Sequence, residues 1–156
     1  HYDPSTGIFR WIVSGGRRSI GAVAGTLHHT GYIQISVDYK LYRAQRLAWL
    51  YMTGEWPKTD EVDHENRTKP DNRWINLREA ASSQNKSNRG KQTDNQSGYK
   101  GVSFDKRNHK WLAQIKKDKT AYNLCRYANR VDAARAYDEA AIRLHGEFAF
   151  TNFPRE

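Results

Sequence analysis

Between Lys86 and Ser97 the chain reads KSNRGKQTDNQS, a stretch without one large apolar side chain. Such a segment has nothing to bury, cannot offset the entropy of ordering itself, and reads as an exposed linker. It divides the 156 residues into two blocks, 1–85 and 98–156, each long enough for one small core. Composition keeps those cores small, since 37% of residues are apolar and mean hydropathy is −0.95. Five Trp, nine Tyr and five Phe partly compensate, because each large ring buries much area. A single cysteine, Cys125, excludes an internal disulfide framework and a multi-cysteine zinc site, and it fits a reducing compartment. No apolar run approaches membrane-spanning length and no signal region follows the start, so the expected setting is the cytoplasm, inside a cell, away from membranes. The chain opens on His1 rather than Met, so a native start missing or removed is expected.

Within the first block, Ile8 to Val13 and Tyr32 to Val37 read as strands. Ile33, Ile35 and Val37 alternate with Gln34 and Ser36, the period of a half-buried sheet. Lys40 to Arg43 adds a short strand. From Ala44 to Thr53 the spacing turns helical, with Leu47, Leu50 and Tyr51 on one face and Gly54 as the stop. The second block reads as three strands and one helix. Trp111, Ala113 and Ile115 share one face of the middle strand, and Lys110, Leu112, Gln114 and Lys116 share the other. In the third strand Tyr122 and Leu124 alternate with Asn123 and Cys125. Asn129 caps the helix, Asp132 sits in its first turn, Gly146 ends it, and Ala134, Tyr137, Ala141 and Leu144 form its buried stripe. The fold class is α+β, with sheet-rich segments in both blocks.

Formal net charge is +9, a surplus that points to a polyanionic partner, since Lys and Arg displace counterions condensed on phosphate backbones. From Gly98 to Arg130 there are nine basic residues against Asp105 and Asp118. Lys100, Lys106, Arg107, Lys110, Lys116, Lys117 and Lys119 stand there among aromatic residues. An ordinary solvated face is one reading; on strands this dense in cations, contact with nucleic-acid phosphates is the better one.

The residues able to do chemistry lie in VDHENRTKPDNRWINLREAASSQNKSN, from Val62 to Asn88. Hydrolysis of a phosphodiester needs an activated water, a cation on the phosphate and stabilisation of the leaving oxygen. His64 is the side chain here whose ordinary pKa suits a general base near neutrality. Neighbours on a strand face opposite ways, so either Asp63 holds a metal while His64 meets the water, or one of the pair is structural. Asn76 follows His64 by twelve residues and Asn85 by twenty-one.

With this spacing, VDHEN, DNRWINLREA and SQNKSN resemble the HNH endonucleases of the ββα-metal class, in particular phage-borne homing endonucleases whose third motif residue is Asn. The upstream LYRAQRLAWLYMTGEWP is similar to the segment that precedes the motif in that group. The resemblance implies a strand with Asp63 and His64, a loop through Asn72 and Asn76, a short strand at Leu77 to Ala80, and a helix from about Ser82. By similarity His64 is the general base, Asn76 pins the loop, and Asp63 and Asn85 are the protein ligands of one divalent cation. An all-oxygen pair suits Mg²⁺ or Mn²⁺ rather than Zn²⁺. Gln45 departs from the group, which often has His there, and Glu65 takes a place that is usually apolar.

The second block resembles the plant ethylene-response-factor type of DNA-binding domain (Apetala-two type). The matching residues are Tyr99-Lys-Gly-Val102, Trp111-Leu-Ala-Gln-Ile115, Ala133-Ala-Arg-Ala-Tyr-Asp138 and Asn152-Phe153. In that family the sheet enters the major groove. Lys100, Gln114, Lys116 and Asn123 fall at its DNA-contacting positions, and the basic run adds Lys106 and Arg107. Ser103 and Asp105 replace family arginines and Cys125 replaces a glycine, so base preference does not carry over. The resemblances together imply an N-terminal ββα-metal nuclease domain over 1–85 with a β-rich extension, a linker over 86–97, and a three-stranded antiparallel sheet packed on one helix over 98–156. They imply a divalent-metal-dependent endonuclease that cuts double-stranded DNA at preferred sites, nicking one strand. The alternative is a non-catalytic DNA-binding protein on a degenerate nuclease fold, for which Gln45 is the support. No protein partner is evident.

Overall fold

A computed structural model describes residues 1–156 other than Arg17, Asp60, Lys119 and Glu156, so the cation expected at Lys119 lies outside the described residues. The chain forms two compact units, His1–Ser82 and Ser83–Glu156. The architecture is α+β, with small antiparallel sheets in both units.

The first unit opens with a hairpin of β1 (Tyr2–Asp3) and β2 (Ile8–Phe9). Gly7 has φ +73°, and a Cβ there would collide with the backbone of Asn72 and Arg73. Glycine serves both the left-handed backbone and the close approach of that loop. The strand expected as far as Val13 stops early. Beyond one bridge between Arg10 and Val23, the Trp11 backbone bonds to Ala22 and Gly21 in a turn, which leaves Ile12 and Val13 exposed.

A second sheet places β4 (Ile33–Val37) between β3 (Thr26–Leu27) and β5 (Lys40–Arg43). Ile35 is buried and Ser36 exposed, as the alternation predicts. Helix α1 (Ala44–Thr53) follows at once, and Gly54 ends it in a left-handed turn with its N–H on the Leu50 carbonyl. Its buried residues are Ala44, Gln45 and Ala48, whereas Leu47 and Leu50 of the expected apolar face are half-buried and Tyr51 is exposed. Small residues let the helix lie close on its neighbours. Ala48 joins Tyr2, Val62 and Leu77 in one core cluster, while Ala44 joins Ala24 and Ile35 in another, with Leu47 only partly covered. The strands β6 (Glu61–His64) and β7 (Leu77–Ala80) pair across a loop that closes with a 3-10 turn at Trp74–Asn76.

Helix α2 (Ser82–Asn88) starts where the resemblance implies, at the last residue of the first unit, and the rest of it belongs to the second. The stretch read as an exposed linker is more ordered than its lack of apolar residues suggests, since Asn88 and Ser97 are buried. Its polar side chains bind backbone in place of apolar packing. Asn95 Oδ1 accepts from the Gly98 N–H at 2.8 Å, and Ser97 Oγ donates to the Tyr99 carbonyl at 2.9 Å.

Strand β9 (Lys110–Lys117) lies between β8 (Val102–Asp105) and β10 (Thr120–Tyr127), and α3 (Arg130–His145) covers one face. Val102 and Ala113 pack on Ala133 and Ala134, and Ile115 packs on Tyr137 and Ala141. Asn129 caps α3, accepting from the Val131 and Asp132 N–H groups. Buried Asp138 accepts from the Asn152 and Phe153 backbones, and Asn152 Oδ1 accepts from the Lys100 N–H at 2.7 Å. That relay ties the end of the chain to the entrance of β8. No helix among the described residues is long and apolar enough to cross a membrane.

Candidate functional site

Strand β6 delivers Asp63 and His64 side by side, both buried. Pairing with β7 sets Asp63 opposite Arg78 and His64 opposite Leu77. The Arg78 guanidinium donates to Asp63 Oδ2 from Nε at 3.2 Å and from an Nη at 3.1 Å. This ion pair offsets the cost of burying the carboxylate and fixes its direction. Arg78 is a site residue the sequence reading missed, because only the strand register shows that Arg78 faces Asp63.

His64 is oriented by a second missed side chain. Its Nε2 lies 3.2 Å from Oδ1 of Asn72, while Nδ2 of Asn72 donates to the Pro70 carbonyl at 3.1 Å. With Nδ2 committed to a carbonyl, Asn72 presents its oxygen to the ring. Nε2 must therefore carry the proton, and in the neutral imidazole the lone pair sits on Nδ1. Burial pushes the His64 pKa below the ordinary imidazole value, against the opposing pull of Asn72 and of the Asp63 and Asp71 charges. A neutral imidazole with a defined tautomer can accept a proton from water.

The loop from Glu65 to Asn76 is held by its own amides. Asn76 Oδ1 accepts from the Asn66 N–H at 2.9 Å, and its Nδ2 donates to the Asp71 carbonyl at 2.7 Å. Asn76 thus staples the two ends of the loop without touching the His64 ring through either of these bonds. Asp71 accepts a forked pair from Arg73 and a bond from Asn66 Nδ2, and these hold its carboxyl well below the usual range. Beneath the loop, Tyr2 Oη donates to the Asn72 carbonyl at 2.6 Å, and burial raises the Tyr2 pKa to about 12. Glu65 is exposed.

Asp63, His64, Asn72 and Asn76 are therefore gathered in the first unit, and Asn85 stands half-buried on α2 in the second. Among the described residues no three His, Cys, Asp or Glu side chains cluster. The residues expected to hold a cation, Asp63 in the first unit and Asn85 in the second, each carry a hard oxygen donor of the kind that Mg²⁺ or Mn²⁺ takes.

In the second unit, Gln114 and Asn123 are register partners on the sheet face away from α3, and Lys116 pairs with Ala121 along the same face. Lys106 and Arg107 are exposed in the turn after β8, which Asp105 organises by accepting from the Arg107 and Asn108 N–H groups. Lys100 is differently placed. Its ammonium donates to the carbonyls of Ser87 and Arg89, both at 2.6 Å, so its charge is already used within the protein.

The strict alternation expected along β10 breaks. A bulge between Asn123 and Cys125 lets Leu124 reach the core and shifts the phase of the residues beyond it. Arg126 then pairs with Leu112 on the polar face, where its Nε donates to Asp105 Oδ2 at 2.8 Å. The signal was present in the sequence. Leu124 and Tyr127 both pack inward, and an odd separation between two inward residues requires a slip.

Comparison with known families finds two separate matches. Residues 42–87 match the HNH endonuclease model and residues 97–147 match the AP2 domain model. No curated protein matches the chain.

Proposed function

We propose that this chain, an HNH endonuclease domain joined to an AP2 domain, is a divalent-metal-dependent endonuclease that cuts double-stranded DNA inside the cell. The observation that carries the reading is the Pro70–Asn72–His64 relay, which leaves a buried, neutral imidazole with its lone pair on Nδ1. His64 Nδ1 accepts the proton of the attacking water, and general-base assistance of this kind contributes on the order of 10²- to 10⁴-fold. Asn72 keeps the ring in the productive tautomer, and Asn76 keeps the loop that carries Asn72 closed. Asp63 and Asn85 would hold Mg²⁺ (or Mn²⁺), with Arg78 steadying the carboxylate. When bound, such a cation would supply positive charge for the phosphate and the leaving oxygen.

The sheet of the second unit supplies the docking surface. Gln114, Asn123 and Lys116 meet the duplex from the face away from α3, with Lys106 and Arg107 on the backbone at its edge; Arg126 joins them because the bulge turns it to that face. One catalytic histidine per chain suits the nicking of one strand, at sites the sheet prefers, in the manner of homing endonucleases. The test is incubation of supercoiled plasmid with the protein and Mg²⁺. Conversion to relaxed circles that EDTA abolishes is the expected result, and intact plasmid at every metal concentration would refute the enzymatic reading.

A further inference from the structure

A cluster beside His64 belongs neither to the proton relay nor to the sheet face of the second unit. The Tyr32 ring lies 5.9 Å from the His64 ring, centroid to centroid. Two cations are set against that same tyrosine, the Arg43 guanidinium at 4.6 Å and the Lys69 ammonium at 4.8 Å from the ring centre. Both basic residues are exposed, whereas Tyr32 is half-buried. Among the described residues neither Arg43 nor Lys69 is paired with a carboxylate.

Holding two like charges against one ring is unfavourable unless an anion shares them, since the ring quadrupole offsets only about 0.5–2 kcal/mol per cation. The structure nevertheless anchors both. Arg43 ends β5 directly before α1, which fixes its backbone on a rigid element. Lys69 sits on the loop stapled by Asn76, and its ammonium donates one hydrogen to the Thr30 carbonyl at 2.7 Å, which leaves further donors for a ligand. The Lys69 charge is close enough to His64 to act on its ring. Beyond Arg43 the surface continues as a groove lined by Tyr42, Arg46 and Trp56, with Tyr42 and Trp56 stacked at 5.6 Å. Cations interleaved with aromatic rings along a groove are the chemistry that recognises a nucleic-acid backbone.

We infer that Arg43 and Lys69, spaced by Tyr32, form a phosphate clamp in the nuclease unit that holds the DNA backbone next to His64. This deepens the endonuclease reading and rests on it. Arg43 and Lys69 bind phosphate, and Tyr32 is a positioning residue that acts through them. The second unit delivers the chain to DNA, and the clamp sets which phosphate the imidazole meets.

The test uses the full chain and a duplex oligonucleotide. Affinity is measured without divalent metal over a series of KCl concentrations, and cleavage is measured separately with Mg²⁺. Each lost phosphate contact lowers the slope of log affinity against log salt by about 0.9, so Arg43→Gln with Lys69→Gln lowers it by about 1.8 in magnitude. Arg43→Lys and Lys69→Arg keep the slope, because the charges remain. Tyr32→Leu keeps the slope and lowers cleavage, which a merely structural tyrosine in a folded variant would not do. Thermal melts monitor folding throughout. An unchanged slope in the double Gln variant overturns the clamp whether or not the wild type cuts. Failure of the wild type to cut, with the slope lowered as expected, removes the endonuclease reading and leaves the clamp as a DNA-binding site.

Discussion

Because Asn72 spends its Nδ2 on the Pro70 carbonyl, the proton on His64 has one place to sit, and in the proposed reaction a single amide decides which ring nitrogen faces the water. Asn72→Leu removes that constraint while keeping the volume. Cleavage then falls on the order of 10²-fold, as for other losses of near-attack geometry, with DNA affinity retained; plasmid assays beside binding isotherms check both. Gln45 poses the opposite case. It is 2% exposed, and among the described residues its Oε1 has no donor. An unsatisfied buried acceptor costs about 1–3 kcal/mol, so Gln45→Met raises the melting temperature, and a fall would show that the oxygen is satisfied after all. The strand carrying Asp63 and His64 and the loop pinned by Asn76 were legible in the sequence. Asn72 and Arg78 acquire their roles only through loop closure and strand register, which spacing does not encode.

Elements here are fixed by a few positions that tolerate no side chain or no change of phase. At Gly101 φ is +73°, and a Cβ would run into the Tyr137 ring at the point where β8 meets α3. Gly101→Ala therefore costs about 1–3 kcal/mol from backbone strain alone, plus the displacement of a core ring. Calorimetry on the full chain shows the loss as an earlier transition of the second unit, and an unchanged melt would mean that α3 can shift away without penalty. Helices α1 and α3 and the C-terminal sheet were readable from periodicity and caps, with Asn129 and Gly54 acting where their residue types predict. The inward face of α1 was not, because pattern reading gives weight to large apolar residues, whereas close packing selected Ala44 and Ala48. The β10 bulge escaped for a related reason: alternation was assumed to continue through Cys125, although Tyr127 needed the opposite phase to reach the core.

For the whole molecule, buried His64 and half-buried His145 link folding to pH with one sign. His64 is depressed mainly by burial, and His145 is depressed by burial and then by the charges of Lys100 and Lys117, with Asp118 opposing and Ser87 Oγ at 3.3 Å from its Nδ1. The unfolded chain binds protons at the ordinary imidazole value near 6.5, and the folded chain binds them only at lower pH. Their stabilisation is thus complete above about pH 6.5 and is lost as pH falls through the folded values. Melting temperatures measured from pH 7.5 down to 5 fall on the acid side, and His145→Gln flattens that fall; a variant with the same acid limb as wild type would exclude His145 as a source. The central claim, that His64 is the base of a DNA-cutting site, is tested most directly by His64→Ala on supercoiled plasmid with Mg²⁺. Cleavage should fall on the order of 10²- to 10⁴-fold while the melt, the DNA affinity and its salt slope stay close to wild type. Wild-type cleavage by a folded His64→Ala protein would contradict the claim.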